Sequence, residues 1–328
     1  MAFSRAVRAE NYTVGWICAL PIEMAAATAM LDDRHEPLPR PSHDHNIYTF
    51  GRVGSHNVVL ACLPAGVPGT TSAAVVATRM LSTFTAIKFS LMVGVGGGVP
   101  NPVSDIRLGD VVISKPGGTS GGVIQYDFGK TVQEGRFVQT GLLNKPPSVL
   151  LHAVASLETK RILEGVGLRV HLAEMPLKFP HLRTAASYPG AEHDRLFEAW
   201  YDHQSDDRTC ASCDTSRLVT RPARNGIEPT IHYGLIASGN QVMRHGVTRE
   251  RLRGELDVLC FEMEAAGLMD DSPCLVIRGI CDYADSHKNK EWQPYAAAAA
   301  AACAKELLLT IPATEVVETK TFRGVEEG

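Results

Sequence analysis

The sequence predicts an α/β fold around a mainly buried, mostly parallel β-sheet. Segments with the length and composition of strands alternate with segments of helical composition, which is typical of sheets whose strands are joined by helices. Several strand-like segments, such as "FSLMVGVGGGVP" (89–100), are continuous apolar runs, as expected where both faces of a sheet are covered. The 328 residues are 45% hydrophobic and 21% charged, which is typical of a globular protein.

The first elements follow from local propensity and from the residues that begin or end each segment. Pro21 suits the start of a helix, Gly54 and Ser55 suit a turn between two strands, and Thr70 suits a helix N-terminus. The predicted elements are a strand at 12–20, a helix at 22–31, two strands within 46–64, a helix at 70–84, and a strand at 89–100 that runs into a glycine-rich loop.

The later elements alternate in the same way. They are strands at 109–114, 231–240 and 273–285, and helices at 146–165, 260–269 and 294–311. The last helix is rich in alanine, which has the highest helix propensity. Residues 180–230 are polar and irregular, which indicates an insertion. We therefore expect one domain at 12–312 that carries this insertion, with an N-terminal tail at 1–11 and a C-terminal tail at 313–328.

Charge and hydropathy argue against several classes of partner. A net charge of −4 and a pI near 6.3 give no basic surplus for nucleic acid or an anionic membrane. No apolar run approaches the roughly 20 residues that cross a membrane, and no apolar signal core precedes Tyr12. We expect a cytoplasmic protein in which most of the eight cysteines are buried as small hydrophobic side chains.

Three common nucleotide and hydrolase motifs are incomplete or absent. "GVGGGV" (94–99) has Val99 where the dinucleotide-binding fingerprint needs glycine, and "GVPGTTS" (66–72) lacks the lysine of a phosphate-binding loop. No GxSxG nucleophile motif occurs. The sequence therefore predicts no cofactor.

The segment "CASC" has the cysteine spacing of a metal ligand pair. Cys210 and Cys213 could bind zinc together with His203, and either His181 or His193 could be the fourth ligand. A closed structural zinc site usually shows clearer spacing, so two free or disulfide-prone cysteines in a surface insertion are the alternative. On this pattern we predict no metal.

Small or polar residues follow the ends of several predicted strands. They are Glu23, the Gly94–Gly98 loop, residues 238–240 and Asp282. Because ligands of such sheets bind beyond the carboxyl ends of the strands, we expect these residues to converge on one site.

Two glutamates interrupt the apolar segment "CFEMEAAGLM" (260–269). Burying a carboxylate costs several kcal/mol unless it is paired or neutralised, so both Glu262 and Glu264 need partners. On charge alone, Arg278 is a candidate partner for Glu262.

Six motifs stand in the order found in one enzyme superfamily. They are "ALPIE" (19–23), "VGVGGGV" (93–99), "GDVVIS" (109–114), "LIASGN" (235–240), "EMEAAG" (262–267) and "VIRGICDYAD" (276–285). The chain resembles the nucleoside phosphorylase and nucleosidase superfamily over roughly residues 12–310, interrupted by the insertion. It is most similar to the nucleosidase branch and to fungal proteins in which this domain stands alone or precedes repeat and NTPase domains. The resemblance implies a three-layer α/β/α sandwich with a central mixed, mostly parallel, partly barrel-like sheet. It also implies a homo-oligomer, with a dimer favoured.

The resemblance assigns roles to three carboxylates. Glu264 matches the glutamate that holds the ribose hydroxyls, and Met263 lies beside the sugar. Asp282 matches the acid that protonates the purine as it leaves, and Glu23 matches the glutamate that activates water in the nucleosidase branch. Arg278 matches an arginine that is structural or adjacent to the sugar. These side chains suit cleavage through an oxocarbenium-like sugar, because a purine leaves readily only when it is protonated.

Other matched positions concern the base. Gly96 and Gly97 match the loop that passes close to the base, and Val242 and Met243 fall where the family contacts the purine. Asn240, at the end of "LIASGN", is also predicted to bind substrate.

The family pattern favours hydrolysis over phosphorolysis. Phosphorylases bind phosphate with an arginine before the glycine-rich segment and a serine inside it, where this chain has Met92 and Val95. Another phosphate-binding arginine would lie near residues 21–28, which contain none. Because a phosphate dianion needs cationic or several N–H partners, and Glu23 would repel it, we expect water to be the nucleophile.

Two differences from the methylthioadenosine branch alter the base pocket. Val242 replaces the aromatic residue that stacks on adenine, and Cys281 replaces a serine before Asp282. We therefore expect a purine nucleoside N-ribohydrolase acting on adenosine, guanosine or inosine, and "QYDFGK" (125–130) could add to its pocket. The alternatives are a phosphate-dependent purine nucleoside phosphorylase and a non-catalytic nucleoside sensor. Retention of the three carboxylates argues against the sensor.

Overall fold

The structure is a computed structural model that describes residues 7–165, 167–204, 209–224, 226–272, 274–312 and 315–316. Residues 1–6 and most of 313–328, which were predicted to be tails, lie outside the described residues. The strands are β1 (Val14–Cys18), β2 (Asp33–Arg34), β3 (Tyr48–Val53), β4 (His56–Cys62), β5 (Phe89–Gly98), β6 (Val111–Ser114), β7 (Val123–Gln125), β8 (Gly129–Thr131), β9 (Phe137–Gln139), β10 (Ile231–Ser238), β11 (Val258–Glu262) and β12 (Cys274–Asp282). The α-helices are α1 (Pro21–Met30), α2 (Thr70–Thr83), α3 (Ser148–Glu164), α4 (Leu168–Lys178), α5 (Arg183–Ala186), α6 (Gly246–Leu256) and α7 (Gln293–Leu309).

One large sheet organises the chain. Its strand order is β11–β10–β6–β12–β5–β1–β4–β3–β2, with β7 beside β10. Strand β11 also pairs antiparallel with β5, which closes β5, β12, β6, β10 and β11 into a barrel. Most pairings that involve β1, β5 and β10 are parallel. The pairing of β12 with β6 and the hairpin of β3 and β4 are antiparallel. The predicted mixed, mostly parallel sheet is confirmed.

Helices cover the sheet and bury its strands. All five residues of β1 are buried, as expected for a strand covered on both faces. Helix α7 packs on β12 and β5, beside α1, α3, α4 and α5, while α2 packs on β1 and β4. A side-chain carbon on Gly279 of β12 would clash with the carbonyl oxygen of Ala296 in α7. The backbones of β12 and α7 therefore approach each other closely at this point, which requires glycine at position 279.

Two predicted elements differ from the structure. The glycine-rich segment is not a loop, because β5 continues as a paired strand through Gly98. Residues 260–269 are not a helix: β11 runs to Glu262, and a short 3-10 turn follows at Ala265–Gly267. In both segments, pairing with neighbouring strands outweighs the local preference.

The polar segment 180–230 contains little regular structure in its described part. It begins with a 3-10 turn at Pro180–Leu182, which α5 follows, and it has further 3-10 turns at Ala191–His193 and Thr215–Arg217. Phe197, Cys210 and Cys213 form a small hydrophobic cluster of their own within it. None of the helices in the described ranges combines the length and apolar composition of a membrane span.

Candidate active site

A cavity of about 220 Å³ lies where β1, β5, β10, β11 and β12 end. Most of the side chains predicted to form the site line this cavity, although they come from five distant segments. The predicted residues on its lining are Glu23, Gly96, Gly97, Val242, Met243, Met263, Glu264 and Asp282. The convergence expected at the carboxyl ends of the strands is therefore present.

Glu23 is fixed by three backbone donors. It lies in the first turn of α1 and is 2% exposed. Its Oε2 accepts hydrogen bonds from the N–H groups of Ala19 (2.7 Å) and Leu20 (2.9 Å), and its Oε1 accepts one from Val95 of β5 (2.8 Å). Burial raises the pKa of this carboxyl, while Arg278 and the N–H groups act in the opposite direction. The carboxyl group is therefore held in one position at the cavity wall.

The glycines of β5 make room for charged side chains. A side-chain carbon on Gly94 would lie 2.5 Å from Oε1 of Glu23 and 2.7 Å from Nη1 of Arg278. A side-chain carbon on Gly97 would lie 2.8 Å from Oδ1 of Asp282. Glycine is therefore needed here because the site packs directly against the strand.

Arg278 joins the two glutamates that interrupt the apolar segment. It is 1% exposed, and its Nη2 contacts Oε2 of Glu262 and lies 3.3 Å from Oε2 of Glu264. Oε2 of Glu262 also accepts hydrogen bonds from the N–H groups of Glu264 (3.1 Å) and Ala265 (3.0 Å). The predicted pair of Glu262 and Arg278 is confirmed, and it holds the turn that carries Glu264.

Glu264 has an unusual protonation equilibrium. Burial raises the pKa of its carboxyl to about 7. Arg278 opposes this shift, whereas Glu262 and Glu23 add to it because they are acids close by. Glu264 is therefore partly protonated near neutral pH when no ligand is bound.

Asp282 ends β12 and pairs with a lysine. It is 4% exposed, and its Oδ1 accepts a hydrogen bond from the N–H of Ala284 (2.9 Å). Its Oδ2 lies 2.8 Å from Nζ of Lys288 and accepts from Sγ of Cys281 at 3.1 Å. Burial disfavours the charged amine of Lys288, but Asp282 outweighs this effect and raises the pKa of Lys288. Lys288 was not predicted from the sequence. The sequence shows it only as one basic residue in the polar loop after Asp282.

Asn240 does not line the cavity. It is exposed at the rim, where its Oδ1 accepts hydrogen bonds from the N–H and Oγ1 of Thr70, each at 3.1 Å. Its own N–H donates to Oδ2 of Asp127 (2.7 Å), and the hydroxyl of Tyr126 donates to the carbonyl of Gln241 (3.0 Å). These residues hold the loop after β10, which carries Val242 and Met243 to the cavity.

Phe128, which the sequence suggested as a possible addition to the pocket, is 56% exposed and is absent from the lining.

The lining is strongly acidic. Glu23, Glu262, Glu264 and Asp282 contribute four carboxyl groups, and Lys288 is the one basic side chain among the described lining residues. Lys288 is already paired with Asp282, and the N–H of Val95 already donates to Glu23. A phosphate dianion would meet few donors here and several like charges.

Fold and site together define a member of a known superfamily. The chain belongs to the phosphorylase superfamily, whose sequence model matches residues 13–311. This confirms the resemblance found in the sequence, including its fungal character, since a relative from Hyaloscypha variabilis is 48% identical over 304 residues. That relative is a nucleotide-binding leucine-rich repeat (NLR)-like protein, and the match covers 92% of this chain but 30% of the relative.

A second relative matches over nearly its whole length. The 5'-methylthioadenosine/S-adenosylhomocysteine nucleosidase of Mycobacterium bovis is 28% identical over 306 residues, which are 92% of this chain and 97% of the relative. Among solved structures, futalosine hydrolase of Helicobacter pylori superposes with a TM-score of 0.56 at 15% identity. The superposition covers 91% of this chain and 97% of the hydrolase, and it shows a shared fold.

Proposed function

We propose that this protein is a nucleosidase that hydrolyses the N-glycosidic bond of purine ribonucleosides such as adenosine, guanosine and inosine. The products are the free base and ribose. The proposal is carried by the position of Glu23, Glu264 and Asp282 on the lining of one cavity. A relative that matches over 97% of its own length and is named as a nucleosidase supports the same class of reaction.

In this proposal, Asp282 acts on the leaving base. Its carboxylic acid form donates a proton to a nitrogen of the purine imidazole ring while the bond from C1' to the base breaks. The bonding electrons leave with the base, which departs neutral, and positive charge develops on the sugar. A positioned general acid typically contributes about 10²–10⁴-fold to rate. Lys288 orients the Asp282 side chain through the 2.8 Å contact to Oδ2.

Glu264 and Glu23 act on the sugar and on water. Glu264 accepts hydrogen bonds from the ribose hydroxyls, which provides the partner that its buried carboxylate requires. Glu23 accepts a proton from the attacking water, whose oxygen bonds to C1'. Three backbone N–H donors hold the Glu23 carboxyl group, so it is positioned before substrate binds.

The charge of the site favours water over phosphate. The lining has four carboxyl groups, and its lysine is already engaged. Met92 is buried within β5, and the backbone donor at Val95 is occupied by Glu23. A phosphorylase would need cationic side chains or several available N–H donors to bind the phosphate dianion.

Base release from a panel of nucleosides tests the proposal. The purified chain is incubated with adenosine, guanosine and inosine, and with 5'-substituted adenosines including methylthioadenosine, and free base is quantified by chromatography. We expect release from at least one of the three unsubstituted nucleosides, and its loss in Asp282→Asn. If free base is released only from the 5'-substituted compounds, the proposed substrates are wrong, whereas the proposed hydrolysis of an N-glycosidic bond still holds.

A nucleoside sensor is the second candidate function. It is favoured by the 48% identical relative, whose name refers to nucleotide binding and not to an enzymatic activity. A sensor would bind a purine nucleoside in calorimetry and release no base over long incubation. Base release that depends on Asp282 excludes this candidate.

A further inference from the structure

A second cluster of reactive side chains lies in the polar insertion, outside the cavity described above. His203, Cys210 and Cys213 each offer a ligand atom, and these atoms all lie within 4.8 Å of one another. Cys210 and Cys213 are 8% and 7% exposed, and neither forms a disulfide. The sequence suggested two free or disulfide-prone cysteines in a surface insertion as one alternative, but both cysteines are buried against Phe197.

A buried imidazole beside this cluster has no hydrogen-bond partner. His287 is 7% exposed, and both of its ring nitrogens are buried and unpartnered. Its ring stacks on Phe197, with centroids 4.1 Å apart, and on Tyr201, with centroids 5.4 Å apart. Burying two polar nitrogens among aromatic rings is costly unless something binds them.

The position of His287 fits a fourth ligand. Its ring centroid lies 5.4 Å from that of His203, and Sγ of Cys210 lies 3.6 Å from its carbonyl oxygen. Two imidazoles on one tetrahedral zinc ion have centroids about 5 Å apart, given Zn–N bonds of about 2.0–2.1 Å. The separation of the rings is therefore close to that around a shared ion. The His287 ring would reach the ion by a small movement, because the ligand atoms that already lie within 4.8 Å of one another are those of His203, Cys210 and Cys213.

Contacts to the ring nitrogens that do not bind the metal would orient both imidazoles. Nε2 of His203 lies 3.2 Å from the carbonyl oxygen of Thr209, a contact that would orient the ring. Nδ1 of His287 lies 3.7 Å from Oδ1 of Asp285, whose Oδ2 is 3.3 Å from Nη1 of Arg249. Metal-binding histidines usually direct their second nitrogen to a carbonyl or carboxylate group. His203 has such a contact with Thr209, and the carboxylate of Asp285 would supply one to His287 after a small rotation of the ring.

We propose that His203, Cys210, Cys213 and His287 bind one zinc ion in a closed tetrahedral site. Two thiolates and two imidazoles form a ligand set that zinc prefers, and both thiols release their protons to solvent on binding. With four protein ligands the ion has no open position, so it acts on structure and not on bond cleavage. The fourth ligand is His287, and not His181 or His193 as the sequence suggested.

The ion would connect the insertion to the loop after β12. That loop carries Asp285, His287 and Lys288, and Lys288 contacts Asp282 in the candidate active site. A hydrogen bond from the N–H of His203 to Oγ of Ser286 (3.0 Å) already joins the same two segments. Zinc binding therefore fixes the loop that orients the proposed catalytic acid.

Metal analysis of the full chain tests the proposal. Protein purified in a reducing buffer without chelator, or stripped and then dialysed against equimolar zinc, is measured by mass spectrometry for metals. We expect one zinc per chain, and less than a tenth of that in Cys210→Ser and in His287→Ala. Cys62→Ser and His152→Ala, which change a thiol and an imidazole elsewhere, retain the full amount.

The wild-type protein also gives a test that does not depend on how the variants fold. Cobalt substitution is expected to give the visible bands of a tetrahedral ion with thiolate charge transfer, and X-ray absorption is expected to show two sulfur and two nitrogen ligands. Wild-type protein that stays free of metal after dialysis against zinc would overturn the proposal, whether Cys210 and Cys213 are found as thiols or as a disulfide. Neither readout depends on nucleoside cleavage.

Discussion

Nζ of Lys288 lies 2.8 Å from Oδ2 of Asp282, and both side chains line the same cavity. Asp282 thus has a cationic partner on one oxygen, while the N–H of Ala284 holds the other. This arrangement fixes the direction of the carboxyl group that is proposed to protonate the base.

Removing the lysine tests its positioning role. In Lys288→Met, the Asp282 side chain loses its partner, and we expect kcat to fall about 10- to 100-fold while KM changes less than about 3-fold. Lys288→Arg is expected to recover most of the lost rate, and Lys290→Met, at an exposed position in the same loop, to leave it unchanged. Steady-state kinetics separate the two constants. Equal rates in Lys288→Met and wild type would remove Lys288 from the mechanism.

Leaving-group chemistry tests the role of Asp282. Asp282→Asn cannot donate the proton, so purine release is expected to slow by about 10²–10⁴-fold. A riboside with a p-nitrophenyl leaving group departs without protonation, so the same variant should cleave it at close to the wild-type rate. Glu23→Gln is expected to slow both substrates, because both require water. A similar loss on both substrates in Asp282→Asn would contradict its role as the acid.

The buried pair of Arg278 and Glu262 is predicted to be important for stability. Arg278→Met leaves Glu262 and Glu264 buried without their cation, which is expected to lower the free energy of unfolding by about 3–5 kcal/mol. The double variant Arg278→Met, Glu262→Gln should lose less free energy of unfolding than the two single variants lose in sum. Urea unfolding measures each value. Arg251→Met, which breaks an exposed pair with Glu255, should cost less than about 1 kcal/mol.

The raised pKa of Glu264 predicts how stability depends on pH. The folded protein holds this proton up to a pKa of about 7, whereas the unfolded chain releases it near 4.5. Between these values the folded state binds more protons, so the free energy of unfolding falls as pH rises through this window. Urea midpoints of wild type and Glu264→Gln should converge towards pH 4.5 and diverge towards pH 7, with wild type losing stability relative to the variant. Parallel curves would show that Glu264 titrates normally.

The sequence predicted the order of the main strands and helices because hydrophobic runs and breaking residues are local signals. It misjudged the glycine segment at 94–98 and the helix at 260–269, since both are set by pairing between β5, β11 and β12. Such pairing depends on residues that are distant in the chain, and local propensity does not contain it.

The candidate site was predictable where the motifs stand in the order of the superfamily, as for Glu23, Glu264 and Asp282, which all line the cavity. Lys288 was not, because a lysine in a polar loop carries no sign of which acid it meets. His287 was missed as a ligand for the same reason: nothing local connects it to "CASC". Conversely, Asn240 stands in a matching motif, yet its side chain turns to Thr70 at the rim.

Product analysis with and without phosphate tests the central claim most directly. The purine nucleoside that releases base fastest is incubated in phosphate-free buffer and in phosphate buffer, and free ribose is separated from ribose 1-phosphate. The acidic lining predicts free ribose in both buffers, at the same rate. Ribose 1-phosphate formed only when phosphate is present would contradict hydrolysis, and it would show that the cavity binds an anion despite its four carboxyl groups.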